Sequence, residues 1–99
     1  MSKKKTNTRT ELLSEADGLI NGQRQEDYGK PEDNFRRIAD RWTVTLEQYL
    51  KPGVELPPYA VALCMADVKL SRIVTTPKHH DSYTDGLGYL ALAGELVGA

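Results

Sequence analysis

The sequence predicts an all-α protein, a compact four-helix bundle that assembles into a homo-oligomer. Apolar residues recur at helical spacing in four segments, and proline or capping residues stand where these segments begin. β-Branched residues nowhere alternate over a useful length, so no strand is expected. A chain of 99 residues has room for one domain with a modest core. We expect a disordered basic tail over residues 1–7 and a single helical domain over residues 8–99.

The first two helices are predicted from their end signals and their amphipathic spacing. Thr8 with Glu11 three residues later fits a capping box, and Asn21-Gly22 predicts a left-handed stop. The second helix begins at Pro31, a residue suited to the first helical position. Glu32 and Asp33 follow in the first turn, where the helix dipole favours negative charge. Lys51-Pro52-Gly53 is expected to end the helix.

The third and fourth helices are apolar almost all round. We expect the third to run from Pro57-Pro58 to about Val74, and the fourth from near Ser82, with Asp85 completing a capping pattern, to about Val97. Such helices are normally buried on most sides. Because so short a chain cannot cover both, we expect a homo-oligomer formed through these two helices.

Two residue types inside these helices carry expectations of their own. Cys64 has apolar neighbours, which predicts a buried core thiol and not a nucleophile. The fourth helix contains glycines that lower its intrinsic stability, and this favours the close approach of another backbone: Gly86, Gly88 and Gly94.

Composition argues against two classes of partner. The formal net charge is -1, whereas obligatory nucleic-acid binders usually carry a basic excess, so duplex nucleic acid is not expected. No apolar stretch approaches the ~18–20 residues that span a bilayer, so no membrane is expected. The single cysteine cannot form an internal disulfide, which indicates a reducing compartment, the cytoplasm. Lys3-Lys4-Lys5 is interpreted as a solvated tail, with a phosphate-binding arm as the alternative.

A polar loop before the second helix is the first candidate site. Arg24 could clamp a phosphate with two hydrogen bonds, and Tyr28 could stack on a base. The helix start that follows attracts anions. The alternative is a polar connection in which Gly29 makes the turn.

Two cations on the third helix form the second candidate site. Lys69 and Arg72 are three residues apart, so they share one face of an otherwise apolar helix. A buried cation requires a partner. That partner could be an anionic ligand or an internal carboxylate, Asp81 or Asp85, and both arrangements could hold together.

The third candidate lies at the start of the fourth helix, in His79-His80-Asp81 with Asp85. Asp81 and Asp85 could bind Mg²⁺ together with ligand phosphates. The alternative is that Asp81 and Ser82 cap the helix. Zn²⁺ is less attractive because adjacent histidines point apart. No nucleophile motif is present, so no catalytic residue is predicted and no cofactor is certain.

The string Arg24-x-x-x-Tyr28-Gly29-x-Pro31-x-x-Asn34-Phe35-x-x-Ile38-Ala39-x-x-Trp42 resembles a family of small phage-encoded helical proteins of uncharacterised function. Lys69-x-x-Arg72 and Asp81-x-x-x-Asp85-x-x-Gly88-Tyr89 fit the same pattern, and the match spans about residues 20–96. The resemblance implies a phage or prophage origin and expression in the bacterial host cytoplasm.

More distantly, the helix order resembles the MazG-like all-α nucleotide pyrophosphohydrolases and phage domains associated with nucleotide modification. Those hydrolases hold Mg²⁺ with Glu-Glu-x-x-Glu on one helix and Glu-x-x-Asp on another. Asp81 and Asp85 approximate the second set at a different spacing, whereas the second helix carries Arg36 and Arg37 where carboxylates are required.

These features together favour binding of a nucleotide or cyclic-nucleotide signal without turnover, and for a phage such a protein could sequester a defence messenger. The expected ligand-binding residues are Arg24, Tyr28, Asn34, Lys69, Arg72, His80 and Tyr89. One alternative is a Mg²⁺-dependent MazG-like pyrophosphohydrolase, so whether the protein is an enzyme stays open. The other is a protein–protein adaptor that uses the apolar fourth helix.

Overall fold

The computed structural model describes residues 7–22 and 30–99. Within these ranges the chain forms four α-helices, α1 (Thr8–Asn21), α2 (Pro31–Thr45), α3 (Pro58–Thr75) and α4 (His80–Val97), with a 3-10 turn at Glu47–Tyr49. Neither range contains a strand. The all-α fold and its four predicted helices are therefore confirmed. The basic run and the loop with Arg24 and Tyr28 lie outside the described residues.

Both ends of α1 differ from the prediction in their detail. The cap is Asn7 and not Thr8, because Asn7 Oδ1 accepts a hydrogen bond of 2.8 Å from the backbone N–H of Thr10. The helix ends at Asn21 as expected, but Gly22 has φ -108° and is not left-handed. Glycine is required there for another reason, since a Cβ at Gly22 would lie 2.6 Å from the carbonyl oxygen of Gly18.

The second helix ends several residues before the predicted Lys51-Pro52-Gly53. Its last turn carries Thr43, whose hydroxyl donates to the Ala39 carbonyl (2.8 Å) and accepts from the N–H of Leu56 (3.0 Å). The run Thr43-Val44-Thr45 is β-branched, which weakens a helix, and the Thr43 hydroxyl ties the returning chain back to α2. The helix therefore stops at Thr45.

The fourth helix begins at His80, so the predicted capping by Asp81 and Ser82 is wrong. Its N-cap is His79, which has no side-chain bond to the backbone of the first turn. Ser82 is buried inside the helix and shares a hydrogen bond of 2.7 Å with His79 Nδ1. This bond occupies the hydroxyl that the capping pattern assigned to a backbone N–H.

The core lies where α2, α3 and α4 meet. Its buried members are Phe35, Ala39, Val61, Ala62, Leu92 and Ala93. The Phe35 ring packs edge-to-face on Tyr89, with centroids 6.5 Å apart and planes at 73°, an arrangement that aromatic pairs favour. α3 packs most extensively on α4, while α1 adds to α4 and α2 adds to α3. α3 and α4 therefore form the central pair, with α2 packed on α3 and α1 packed on α4.

Several apolar side chains of α3 and α4 are not covered. The prediction of a buried Cys64 is wrong, because this residue lies on an exposed side of α3. Its apolar sequence neighbours point around the whole helix, and only some of them meet α2 or α4. No helix within the described ranges is long and apolar enough to cross a membrane.

Candidate functional site

An ion pair joins the two longest helices at the centre of the candidate site. Lys69 Nζ on α3 lies 3.3 Å from Asp85 Oδ2 on α4, and the two side chains are 27% and 34% exposed. The helices approach closely here, since a Cβ at Gly86 would lie 3.7 Å from Lys69 Cβ. Of the two internal carboxylates that the sequence offered to Lys69, Asp85 is therefore the one in contact.

Asp85 also lines a small cavity between the end of α1 and α4. The cavity has a volume of about 60 Å³ and is bounded by Leu19, Ile20, Asp85, Gly88, Tyr89 and Leu92. Typical ligand pockets measure about 300–1,000 Å³. This cavity is therefore too small to hold a ligand by itself, and its lining residues could form only part of a ligand site.

The chain on both sides of residues 23–29 lies against α4. Ile20, near the end of α1, would lie 3.0 Å from a Cβ at Gly88. On the other side, Lys30, Pro31 and Glu32 line a second cavity of about 240 Å³ with Leu92, Glu95 and Leu96. Arg24 and Tyr28, which lie outside the described residues, are thus flanked by two segments that meet the same helix.

Arg72 and Asn34 occupy different surroundings from Lys69. Arg72 is exposed on α3, and its guanidinium forms no ion pair within the described part of the chain. Asn34 is half-buried in the first turn of α2, where its backbone N–H donates to the Lys30 carbonyl (3.0 Å). Only Lys69 of the two predicted cations reaches α4 through an ion pair.

His80 pairs with a residue that sequence reasoning missed. Its Nε2 hydrogen-bonds to the carboxylate of Glu15 on α1. This hydrogen bond and the charge of Glu15 raise the pKa of His80 above its ordinary 6.5, with smaller contributions from Asp81 and Glu11, while desolvation opposes the shift. Because 65 residues separate the two partners, no spacing rule could have found the pair.

The predicted Mg²⁺ ligands lie one turn apart on α4. Asp81 is exposed, and Asp85 faces Lys69. Among residues 7–22 and 30–99, no group of three or more His, Cys, Asp or Glu side chains is placed to hold a metal ion. Asp81 and Asp85 therefore stay predicted Mg²⁺ ligands, and the described residues do not add a third ligand to them.

The His80–Glu15 contact predicts a pH-dependent stability. Since the pKa of His80 is raised on folding, this contact stabilises fully below 6.5 and its contribution is lost as the pH rises through the raised pKa. Glu15→Gln should therefore lower the melting temperature in mildly acidic buffer below pH 6.5, and should match the wild type in alkaline buffer. Thermal melts across this range test it, with the exposed loop residue Glu55 as the control (Glu55→Gln). An equal loss at all pH values would contradict the assignment.

The fold and these contacts define a small all-α domain with a charged pair and two packed rings along its last helix. The chain belongs to the family described as domain of unknown function DUF6378, which matches residues 11–97. It is 38% identical over 85 residues to the Gene 55 protein of Mycobacterium phage L5, covering 86% of this chain and 51% of that protein.

The Gene 55 protein of Mycobacterium phage D29 is 38% identical over 78 residues, which are 79% of this chain and 48% of that protein. The chain thus spans about half the length of these curated relatives. No solved structure matches. The relatives support the sequence-based resemblance to phage proteins of unknown function.

Proposed function

We propose that this protein binds a nucleotide or cyclic-nucleotide signal at α4 without hydrolysing it. The observation that carries the proposal is the Lys69–Asp85 pair, which holds a cation beside the cavity that Tyr89 lines. A lysine ammonium has three donors, and one carboxylate oxygen at 3.3 Å leaves others for a phosphate. The half-exposed position keeps the lysine accessible while Asp85 fixes its direction.

Two further features suit a nucleotide. Tyr89 packs on Phe35, so its ring is held in one orientation, and aromatic rings bind bases by stacking. Arg72 lies one turn along α3 from Lys69, and its fork of donors matches a phosphate. Arg24 and Tyr28, which lie outside the described residues, stay predicted ligand-binding residues.

Binding is favoured over metal-assisted hydrolysis by the donor set. A phosphate-ester hydrolase of that kind needs carboxylates that hold metal ions and activate water. Asp85 is shared with Lys69, and among the described residues no group of three or more His, Cys, Asp or Glu side chains is placed to hold a metal ion. Turnover by a MazG-like route with Mg²⁺ on Asp81 and Asp85 is the competing proposal, and an adaptor without a small ligand is the third.

For a phage protein, the use that we propose is sequestration of a defence messenger in the host cytoplasm. A homo-oligomer is the proposed state, because α3 and α4 carry leucines and valines that are exposed among the described residues.

Mass spectrometry of bound nucleotides tests this function. The protein is incubated with nucleoside triphosphates, dinucleotides and cyclic oligonucleotides, with and without Mg²⁺, then filtered and denatured. We expect an intact nucleotide in the protein fraction in both buffers. Lys69→Ala should weaken its binding about ten- to a hundredfold, the value of one charge-assisted hydrogen bond.

The matched control is Lys78→Ala, which removes an exposed lysine from the turn between α3 and α4 and should leave binding unchanged. Circular dichroism of both variants checks that each is folded. Monophosphate and pyrophosphate in the filtrate, lost on Asp85→Asn, would make the protein a hydrolase. No nucleotide in either fraction would favour the adaptor.

A further inference from the structure

One side of the α3–α4 pair is not covered by any described helix. A groove of about 140 Å³ runs there between apolar side chains that include Leu70, Ile73, Leu87 and Leu90. Helical spacing extends the same surface toward both ends of the pair. The open face is defined as Leu63, Leu70 and Val74 of α3 with Leu87, Leu90 and Val97 of α4.

The described chain exposes more large apolar side chains than it buries. Phe35, Val61 and Leu92 are buried, and the other buried apolar residues are alanines. Within residues 7–22 and 30–99, twelve large hydrophobic residues are exposed, and five of them belong to the open face. A patch of this kind marks an interaction site. A second copy of the chain carries the same apolar patch and therefore offers a cover of matching chemistry.

We propose that the open face is the two-fold interface of a homodimer. α3 of each copy lies over α4 of the other, and the four helices form an antiparallel bundle. Interfaces of this symmetry use the same patch on both subunits, so the patch must be complementary to itself.

The register of α3 and α4 provides this complementarity. Lys69 is level with Gly86 in the antiparallel pair, which places Ala66 nearly level with Leu90. By the same register, Leu63 lies within one turn of Gly94. A two-fold axis parallel to the helices then sets Leu90 of one copy at the groove that Ala66 of the other lines, and Leu63 on Gly94. A large residue meets a small one in both layers, as in well-packed bundles.

The glycine at position 94 gains an explanation from this interface. Gly88 is explained within one chain, since its Cβ would lie 3.0 Å from Ile20 Cγ2. At Gly94 a Cβ would meet only Ala99 Cβ, at 4.0 Å, so one chain leaves room for a side chain. The Leu63 side chain of a second copy lying on Gly94 accounts for a residue that weakens the helix.

The size of the open face reaches the lower bound for a specific dimer interface. Each helix has 18 residues and is therefore about 27 Å long. Two helices about 9 Å apart present a face roughly 20 Å wide. The two copies would together bury about 1,000 Å², which is the lower bound for a specific interface.

Light scattering of nucleotide-free protein tests the interface, so the result does not depend on the proposed ligand. The wild type is expected at twice the 11.0 kDa of one chain. Leu70→Glu should reduce this to one chain and keep the helical circular dichroism. The matched control is Val68→Glu, since Val68 lies on the same helix but off the open face and is 55% exposed against 58% for Leu70. This control should stay dimeric.

Leu90→Glu tests the same interface from α4, where Leu90 is 52% exposed. This variant replaces Leu70→Glu in the test if Leu70→Glu fails to fold. It should also give the mass of one chain. A wild-type mass of one chain at micromolar concentration would overturn the proposal, and so would a mass above two chains. Equal behaviour of Leu70→Glu and Val68→Glu would overturn it as well.

Discussion

Phe35→Ala is expected to unfold most of the protein at physiological temperature. Phe35 is 2% exposed and joins α2 to α3 and α4, where its ring also supports Tyr89. Removing a buried phenylalanine side chain costs about 3–5 kcal/mol. A core of this size supplies about 3–5 kcal/mol by itself, so the loss equals the stability of the fold. Far-UV circular dichroism and urea unfolding measure the effect.

Two comparisons separate core packing from a general effect of substitution on α2. Val44→Ala changes a 71% exposed residue of the same helix and should alter stability by no more than about 0.5 kcal/mol. Phe35→Leu keeps most of the volume and should cost less than about 1.5 kcal/mol. All samples need one protein concentration, because association changes apparent stability. A Phe35→Ala protein with the wild-type urea midpoint would contradict the assignment of Phe35 to the core.

Helix positions were predictable because they follow from local periodicity, and the errors have non-local causes. The 3.6-residue repeat and the prolines located all four described helices. The end of α2 depends on the hydrogen bond from Leu56 to Thr43, thirteen residues away. The exposure of Cys64 depends on which sides of α3 meet other helices. The sequence of an almost uniformly apolar helix does not indicate which sides these are.

The candidate site was predictable only in part, for the same reason. The sequence predicted that Lys69 could pair with Asp81 or Asp85, because a cation on an apolar helix needs a partner such as a carboxylate. The structure shows that the partner is Asp85. His80 was predicted to bind a ligand, whereas its contact in the structure is the distant Glu15. Charge type can be read from sequence, but the partner depends on how α1 crosses α4.

The crossing of α1 over α4 predicts the second large effect, at Gly88. Gly88→Leu should destabilise the protein because its side chain must displace Ile20, whose Cγ2 lies 3.0 Å from the Cβ position. Overpacking of this kind costs about 1–3 kcal/mol. Gly18→Leu is the matched control, since nothing lies within 4 Å of a Cβ there. Both changes gain roughly 1 kcal/mol of helix propensity, so their difference in urea unfolding measures the α1–α4 packing alone.

A second measurement distinguishes displacement of α1 from a general loss of stability. The pKa of His80 is raised by Glu15 on α1, so moving α1 away should return this pKa toward 6.5 in Gly88→Leu but not in Gly18→Leu. Histidine resonances followed by NMR through a pH titration report it under conditions where both variants are folded. The cavity beside Asp85 is also walled by Leu19 and Ile20, so ligand binding should weaken with the same displacement. An unchanged His80 titration in a destabilised Gly88→Leu protein would mean that α1 stays in place and that the strain is absorbed within α4.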